Sequence, residues 1–229
     1  MYPMKFLDLP SGSTVTGEKI LAYKTKLESS KYIYLMAGVH GDEPEGIYVL
    51  DKLFAWLKKQ IHFELPLIVI PIVNVDGFKK KTRTNQQGVD LNRNLPTEDW
   101  SAKFSEAKYN PGNAPLSEPE NQFLNSLFLK YRPGFILSFH SWKPILNYNG
   151  DCRDVAQFIA KFNQYPLDDD IGYATPGSLG TYGPKNLAAS VLTFECPTKK
   201  EKSLEVIWKE NEEALTLLMQ SDLIRKKYE

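Results

Sequence analysis

The segment YIYLMAG, residues 32–38, carries the clearest fold signal of the chain, since this apolar and aromatic run ends at a glycine. A second apolar run, LPLIVIPIV, occupies residues 65–73. Between the two runs, residues 46–58 place apolar side chains at helical spacing. Continuous apolar runs are typical of strands buried on both faces, and the intervening pattern predicts an amphipathic helix. This part of the chain therefore predicts a strand, a helix and a second strand.

The rest of the chain continues the alternation of strands and helices. Further strands are predicted at residues 135–139 and 190–194, and further helices at 117–130, 155–162 and 202–223. Ser117 is the expected cap of its helix, and the polar stretch 76–115 is predicted to be a long functional loop. We therefore predict an α/β fold in which residues 1–229 form a single domain. Its central, mixed but mostly parallel, twisted sheet is flanked by helices.

Composition excludes several classes of partner. The formal net charge is zero, so we expect neither nucleic acid nor an acidic membrane as a partner. The first eight residues lack a basic segment followed by a long apolar run, and no window approaches the roughly 20 apolar residues of a membrane span. We therefore expect a cytoplasmic protein, unless a leader has been removed. Cys152 and Cys196 are expected to be reduced and structural.

Two of the three histidines directly follow predicted strands. They are His40 and His140, and Glu43 lies three residues beyond His40. Ligands in open α/β sheets bind beyond the carboxyl ends of the strands. Two imidazoles and one carboxylate with an open position form the donor set of a catalytic zinc site. We therefore predict one Zn²⁺ held by these three residues, whereas His62, in a helix-to-strand connection, is predicted to be structural or solvated.

Other polar residues are suited to work beside such a metal. Asn92 and Arg93 combine an amide with a planar guanidinium, which suits them to gripping a carboxylate. Asp90 could accept the second ring N–H of a metal-bound histidine. Glu195 ends an apolar strand and could take a proton from water near the metal. Taken singly, each of these residues could equally be an ordinary residue of a solvated loop or strand end.

Five short segments occur in the order found in the zinc carboxypeptidase family (M14), the group of carboxypeptidase A, and the chain resembles that family. The segments are HGDE (40–43), NVDG (74–77), VDLNRN (89–94), SFHS (138–141) and TFE (193–195). Each is modest alone, but the ordered set is highly specific.

The resemblance implies a role for each matching residue of the metal site. His40, Glu43 and His140 match the zinc ligands, and Asp90 matches the partner of the first histidine. Glu195 matches the general base that activates the hydrolytic water and later protonates the leaving amine. The resemblance thus implies a zinc metallopeptidase.

The resemblance also implies how the substrate is held. Asn92 and Arg93 match the pair that binds the terminal carboxylate of a small peptide. Arg83 matches the arginine that polarises the scissile carbonyl, with Lys80 as a competitor.

The segment YATPGSLGTY, residues 173–182, resembles a stretch of the bacterial murein peptide amidase branch of the family. That branch cuts the γ-D-glutamyl–meso-diaminopimelate bond of recycled cell-wall peptides in the cytoplasm, so a murein tripeptide is the implied substrate. Within the segment, Ser178 is expected to contact substrate, and Tyr173 or Tyr182 to cap it. The position that selects basic side chains in digestive enzymes falls near Gly180, so this preference is not supported.

Three alternatives stay open. An aspartoacylase-like deacylase of small N-acyl amino acids shares the H-x-x-E and D-L-N-R features. A non-catalytic peptide-binding module could have kept the pocket. A cysteine hydrolase would use Cys152 or Cys196 with His140.

Overall fold

The computed structural model describes residues 4–61 and 64–227, so His62 lies outside the described residues. The strands are β1 (Phe6–Asp8), β2 (Gly12–Ser13), β3 (Lys19–Ile20), β4 (Tyr23–Thr25), β5 (Tyr32–Ala37), β6 (Leu67–Ile70), β7 (Pro133–Trp142), β8 (Ile145–Asn149), β9 (Leu167–Asp168) and β10 (Ser190–Pro197). The helices are α1 (Pro44–Leu57), α2 (Val75–Lys80), α3 (Pro119–Lys130), α4 (Arg153–Asn163), α5 (Leu179–Tyr182), α6 (Leu204–Gln220) and α7 (Asp222–Arg225). Short 3₁₀ helices lie at Leu91–Arg93 and Ala107–Tyr109, and a π-helical turn at Gly183–Leu187.

Within the described ranges, eight strands form one mixed sheet in the order β1-β4-β6-β5-β7-β10-β8-β9. The four central strands, β6, β5, β7 and β10, run parallel to one another. Antiparallel pairing joins β4 to β6 and β8 to β10 on either side. The predicted mixed, mostly parallel α/β sheet flanked by helices is therefore confirmed.

Both faces of the sheet are covered, which explains the uninterrupted apolar runs. Along β5, Leu35 packs into a core shared with α1, α4 and α6, whereas Tyr34 and Met36 pack on the opposite face with α3. Strands alternate their side chains between faces, so a strand covered on both sides is apolar at every position.

The run at 65–73 forms a shorter strand than its composition suggests. Only Leu67–Ile70 is paired as β6, and Pro66 and Pro71 flank it directly. Proline has no N–H to donate to a ladder, so it ends regular pairing at both sides.

The predicted loop at 76–115 contains ordered turns of helix. α2 begins at Val75 and runs into this stretch, because the Asn74 side chain accepts a hydrogen bond of 2.8 Å from the backbone N–H of Gly77. The predicted cap of α3 is wrong, since Glu118 occupies that position with Pro119 at the first helical residue. The Ser117 hydroxyl instead donates to the Glu118 carboxylate at 2.7 Å.

The strands that carry reactive residues are longer than predicted. β7 extends to Trp142 and β10 to Pro197, so His140 and Glu195 lie within strands rather than after them. In the parallel register of these strands, Glu195 stands opposite His140. Among the helices that the structure describes, none is long and apolar enough to cross a membrane.

Candidate metal centre

The turn between β5 and α1 supplies two of the three predicted metal ligands. Gly38 has a φ of +63°, a left-handed conformation that glycine adopts readily, and it turns the chain just before His40. Pro44 begins α1, and Glu43 is its cap residue without a capping side-chain hydrogen bond. The Glu43 carboxylate is thus available to the histidines.

Close packing against α2 holds this turn in place. A Cβ added at Gly41 would lie 2.0 Å from the carbonyl carbon of Gly77 and 2.2 Å from the nitrogen of Phe78. Only a residue without a side chain fits between two ligand positions so close to another backbone. The glycine of the HGDE segment is therefore required by packing.

The three predicted ligands meet at one point. The Glu43 carboxylate lies 2.8 Å from Nδ1 of His40 through Oε1 and 2.9 Å from Nδ1 of His140 through Oε2. The two Nδ1 atoms are 3.3 Å apart. Within residues 4–61 and 64–227, this trio is the one group of three or more histidine, cysteine or carboxylate side chains spaced to hold a metal ion.

The spacing of these donor atoms fits zinc. With Zn–N distances of about 2.0–2.1 Å and tetrahedral angles, two nitrogen ligands lie about 3.3–3.4 Å apart. The separation of the two Nδ1 atoms is 3.3 Å. Two imidazoles and one carboxylate also leave a fourth position open, as in catalytic rather than structural sites.

The other ring nitrogens are held by neighbouring groups. Nε2 of His40 lies 3.1 Å from Oδ1 of Asp90, and Nε2 of His140 lies 3.0 Å from the Ser138 hydroxyl. The Asp90 carboxylate can only accept, so it keeps the proton on Nε2 of His40, and both contacts orient the rings with Nδ1 free. The structure thus places Asp90 where the sequence analysis expects it, behind His40.

The carboxylate of Asp90 also organises the adjacent loop. Oδ2 accepts hydrogen bonds from Nε and Nη2 of Arg83 at 3.1 and 3.0 Å. Oδ1 additionally accepts one from the backbone N–H of Asn92 at 2.9 Å. Every hydrogen-bond partner of the two buried Asp90 oxygens is therefore a donor.

The electrostatics of the trio suit cation binding. Burial lowers the pKa of His40, but the Glu43 and Asp90 carboxylates outweigh burial and Arg83, raising that pKa to about 9. Burial also lowers the pKa of His140 below its usual range, despite Glu43. Although burial opposes ionisation of Glu43, the two imidazoles hold its pKa below the usual range. The trio therefore presents a carboxylate anion toward the cation.

Glu195 lies at the cavity with one carboxylate oxygen buried. Its Oε2 atom is buried and has no hydrogen-bond partner among the residues that the structure describes. Burial, followed by the nearby Glu43 carboxylate, raises the pKa of Glu195 to about 8. A carboxylate left without donors holds a proton more strongly than a solvated one.

A cavity of about 160 Å³ connects the metal ligands to the predicted substrate-binding residues. Nine of the residues predicted for the site line it: His40, Glu43, Arg83, Asn92, Arg93, His140, Tyr173, Ser178 and Glu195. Asp90 lies behind His40, outside this lining.

The predicted carboxylate grip has free donors at the cavity. Oδ1 of Asn92 accepts from the backbone N–H of Leu179 at 2.8 Å, which leaves the Nδ2 donors available. Arg93 donates one hydrogen bond of 2.7 Å to the Asn92 carbonyl, and its guanidinium lies over the Tyr109 ring. Arg83 is also close to the metal ligands, with Nη1 3.5 Å from Oε1 of Glu43.

Two sequence-based assignments are corrected by the structure. Tyr182 packs in the core, and its hydroxyl donates to Oδ1 of Asn125 at 2.7 Å, so it does not reach the cavity. Lys80 is exposed and hydrogen-bonds Gln86, also outside the cavity lining. Tyr173, which is 46% exposed, lies at the cavity and packs edge-on against Trp142.

Ser178 occupies the cavity wall, but its hydroxyl is already used. It caps α5 by accepting from the backbone N–H of Thr181 at 3.2 Å. Its contribution is therefore partly to shape the wall.

Several lining residues are not anticipated by the sequence analysis. They are Trp142, Asn147, Asn149, Asp169, Asp170, Ile171, Thr175, Thr181 and Thr193. Gly180, which the family resemblance places near the specificity position, also lines the cavity. The Asp168–Asp170 run looks like a solvated acidic loop in the sequence. Only the pairing of β8 with β9 brings it to the cavity.

The cysteine hydrolase alternative has no support in the structure. Cys152 and Cys196 are buried and do not line the cavity. Burial raises the pKa of the Cys152 thiol to about 12 and raises that of Cys196 well above its usual value. Protonated thiols are poor nucleophiles.

Comparison with known proteins gives consistent matches. The succinylglutamate desuccinylase/aspartoacylase catalytic domain model matches residues 29–140. Murein peptide amidase A of Vibrio campbellii is 32% identical over 191 residues, covering 77% of this chain and 75% of that protein. The Escherichia coli K12 murein peptide amidase A is 29% identical over 184 residues, covering 75% and 74%.

Solved structures show the same architecture. Murein-tripeptide amidase of Escherichia coli O157 superposes with a TM-score of 0.73 at 27% identity, covering 94% of this chain and 93% of that one. Carboxypeptidase A of Helicoverpa armigera has a TM-score of 0.75 at 15% identity, covering 93% and 68%.

These matches agree with the ordered motifs and with the geometry around His40, Glu43 and His140. Relatedness over three quarters of a curated relative extends well beyond the metal-binding turn. The chain therefore belongs to the zinc carboxypeptidase family (M14) and is a hydrolytic metallopeptidase.

Proposed function

We propose that this protein is a zinc-dependent amidase that hydrolyses a peptide amide bond next to a free carboxylate. The proposed substrate is the γ-D-glutamyl–meso-diaminopimelate bond of a murein tripeptide. One observation carries the proposal. A single cavity joins the His40, Glu43 and His140 donor set, the unpartnered carboxylate oxygen of Glu195, and the cationic side chain of Arg93.

His40, Glu43 and His140 would hold the metal through two Nδ1 atoms and a carboxylate. When bound, zinc lowers the pKa of water to about 7 and polarises carbonyl oxygens. Asp90 keeps the His40 imidazole in the tautomer that this requires, and the Ser138 hydroxyl helps to orient the His140 ring.

Glu195 is the proposed general base. It takes a proton from the attacking water and returns it to the nitrogen of the leaving amine. Its Oε2 has no competing donor among the described residues, which supports this role. Such proton transfer typically contributes about 10²–10⁴ in rate.

Asn92 and Arg93 are the proposed binding residues for the free carboxylate beside the scissile bond. The Nδ2 donors of Asn92 are available because its oxygen is already used by Leu179. Arg83 is the proposed donor to the carbonyl oxygen as negative charge develops, a contribution worth about 10²–10³ in turnover. Its fixed position beside Asp90 supports this assignment.

The match of residues 29–140 to the desuccinylase and aspartoacylase model favours a second candidate, deacylation of a small N-acyl amino acid. That match ends before Glu195, whereas similarity to the murein-tripeptide amidase structure covers 94% of the chain. The amidase is therefore the better supported candidate. The proposed setting is recycling of cell-wall peptides in the cytoplasm, which fractionation of cells producing the protein would test.

The decisive experiment is incubation of zinc-loaded protein with L-Ala-γ-D-Glu-meso-diaminopimelate, followed by mass spectrometry. N-acetylaspartate and N-succinylglutamate serve as parallel substrates. We expect L-Ala-D-Glu and free diaminopimelate, no turnover after chelation, and recovery on adding zinc. Cleavage of the acyl amino acids alone would favour the deacylase, and full activity in chelator would contradict the metal-dependent proposal.

A further inference from the structure

The lining of the cavity carries charged groups of both signs. Arg83 and Arg93 line one part of it, and Asp169 and Asp170 line another. The aspartates follow β9, a strand that pairs with β8 far along the chain from the arginine loop. A ligand that fills the cavity therefore meets cationic groups from one loop and anionic groups from another.

Asn147 indicates which kind of ligand group can bind to the lining near Asp169. It is only 8% exposed, and its Nδ2 donates to the backbone carbonyl of Asp168 at 3.1 Å. A carbonyl can only accept, so this bond fixes the orientation of the amide. The Oδ1 atom remains as an acceptor without a partner among the described residues, on the cavity wall.

Asp169 supplies a second acceptor beside it. Asp169 is exposed, and its carboxylate makes no hydrogen bond or ion pair with the part of the chain that the structure describes. Asp170, by contrast, accepts from the N–H of Gly172 at 2.7 Å. The register of β8 and β9 pairs Asn147 with Asp168, the residue before Asp169. An amide oxygen and a carboxylate without donors of their own complement a group that is cationic and rich in N–H donors.

Gly180 lines the same cavity at the position where the family resemblance would place an acid. A Cβ at Gly180 would lie 2.5 Å from Oδ1 of Asn149, so the Asn149 carboxamide packs directly against the glycine. An acidic side chain at position 180 would have to displace Asn149. The loop after β9 instead supplies two acidic residues to the lining, Asp169 and Asp170.

We infer that Asp169, together with the Oδ1 atom of Asn147, binds the side-chain ammonium of the substrate and is a specificity determinant. The ligand class is an amino acid whose side chain ends in an ammonium group, with its α-carboxylate at Arg93. The inference rests on the proposed function for the carboxylate end. It corrects the expectation, drawn from Gly180 alone, that a preference for basic side chains has no support.

The test measures binding of free amino acids to zinc-loaded protein by titration calorimetry. Lysine and meso-diaminopimelate carry the side-chain ammonium, and norleucine is the matched apolar ligand. We expect lysine and diaminopimelate to bind at least about tenfold more tightly than norleucine, the scale of a hydrogen bond to a charged group. In Asp169→Asn this ratio should fall below about twofold. Asp51→Asn, an exposed aspartate on α1 outside the cavity, should preserve it.

A wild-type ratio near one, or an unchanged ratio in Asp169→Asn, would overturn the inference. Turnover of L-Ala-γ-D-Glu amides of diaminopimelate, lysine and norleucine separates it from the proposed function. If no amide is cleaved while Asp169→Asn still abolishes the binding preference, the proposed reaction fails and the ammonium site stands. If all three amides are cleaved equally well, the reaction stands and the ammonium site fails.

Discussion

Replacing Asp90 by asparagine should weaken zinc binding, because it removes the carboxylate behind His40. Asp90 is fully buried and accepts from Nε2 of His40, from Nε and Nη2 of Arg83, and from the N–H of Asn92. All four partners are donors. The NH₂ group of an asparagine would therefore face at least one of them, whichever way the amide is turned.

The magnitude follows from the position of Asp90 behind a metal ligand. Loss of the carboxylate that orients a ligating histidine typically costs about 10–100-fold in metal affinity. That range equals about 1.4–2.7 kcal/mol of binding free energy. The free energy of unfolding should fall as well, by up to about 3–5 kcal/mol, because Arg83 loses its buried partner.

Competition against a chromogenic chelator measures the zinc dissociation constant, and urea unfolding measures stability in parallel. Asp76→Asn is the matched control, because Asp76 is also buried but contacts Thr16 rather than a histidine. The control should lose stability while its zinc dissociation constant stays within about twofold. A folded Asp90→Asn variant that binds zinc as tightly as the wild type would refute the assigned role of Asp90.

Three further predictions concern the same centre. Glu195→Gln should keep its zinc content by metal analysis but lose about 10²–10⁴ in turnover, and nearly full activity would remove it as the base. Because the pKa of His40 in the metal-free protein is about 9, zinc must displace its proton. Apparent zinc affinity should therefore fall about tenfold for each pH unit below that value, and a flat profile between about pH 6 and 8 would contradict this. Gly41→Ala would place a Cβ 2.0 Å from the carbonyl carbon of Gly77. The required shift of the ligand turn, on the order of 1 Å, should cost about 100-fold in kcat/KM, and a variant with wild-type kinetics would contradict the packing requirement.

Local patterns carried much of the information about fold and metal site. A short window of sequence is enough to recognise the apolar run of β5, the helical period of α1 and the positions of His40 and His140 near strand ends. Because the central strands are parallel, their carboxyl ends meet at one edge of the sheet. The strand-end positions of both histidines therefore predict a common site, and their Nδ1 atoms lie 3.3 Å apart.

Errors at element ends have local causes that periodicity does not reveal. Pro66 and Pro71 shorten β6 because they cannot donate to the ladder. Asn74 starts α2 inside a stretch whose composition favours a loop, because its side chain caps the first turn. Glu118, which directly precedes Pro119, occupies the cap position that was predicted for Ser117.

The far end of the cavity depends on long-range contacts that no local pattern contains. Tyr173 and Tyr182 are both capping candidates by sequence, yet Tyr173 lies at the cavity and Tyr182 packs in the core with its hydroxyl on Asn125. Asp169 comes to the cavity only through the pairing of β8 with β9. Residue spacing thus predicted which side chains group as metal ligands, since they sit on adjacent parallel strands and their turns. Side-chain direction and sheet register, which arise only when distant segments pack together, determine which groups line the rest of the cavity.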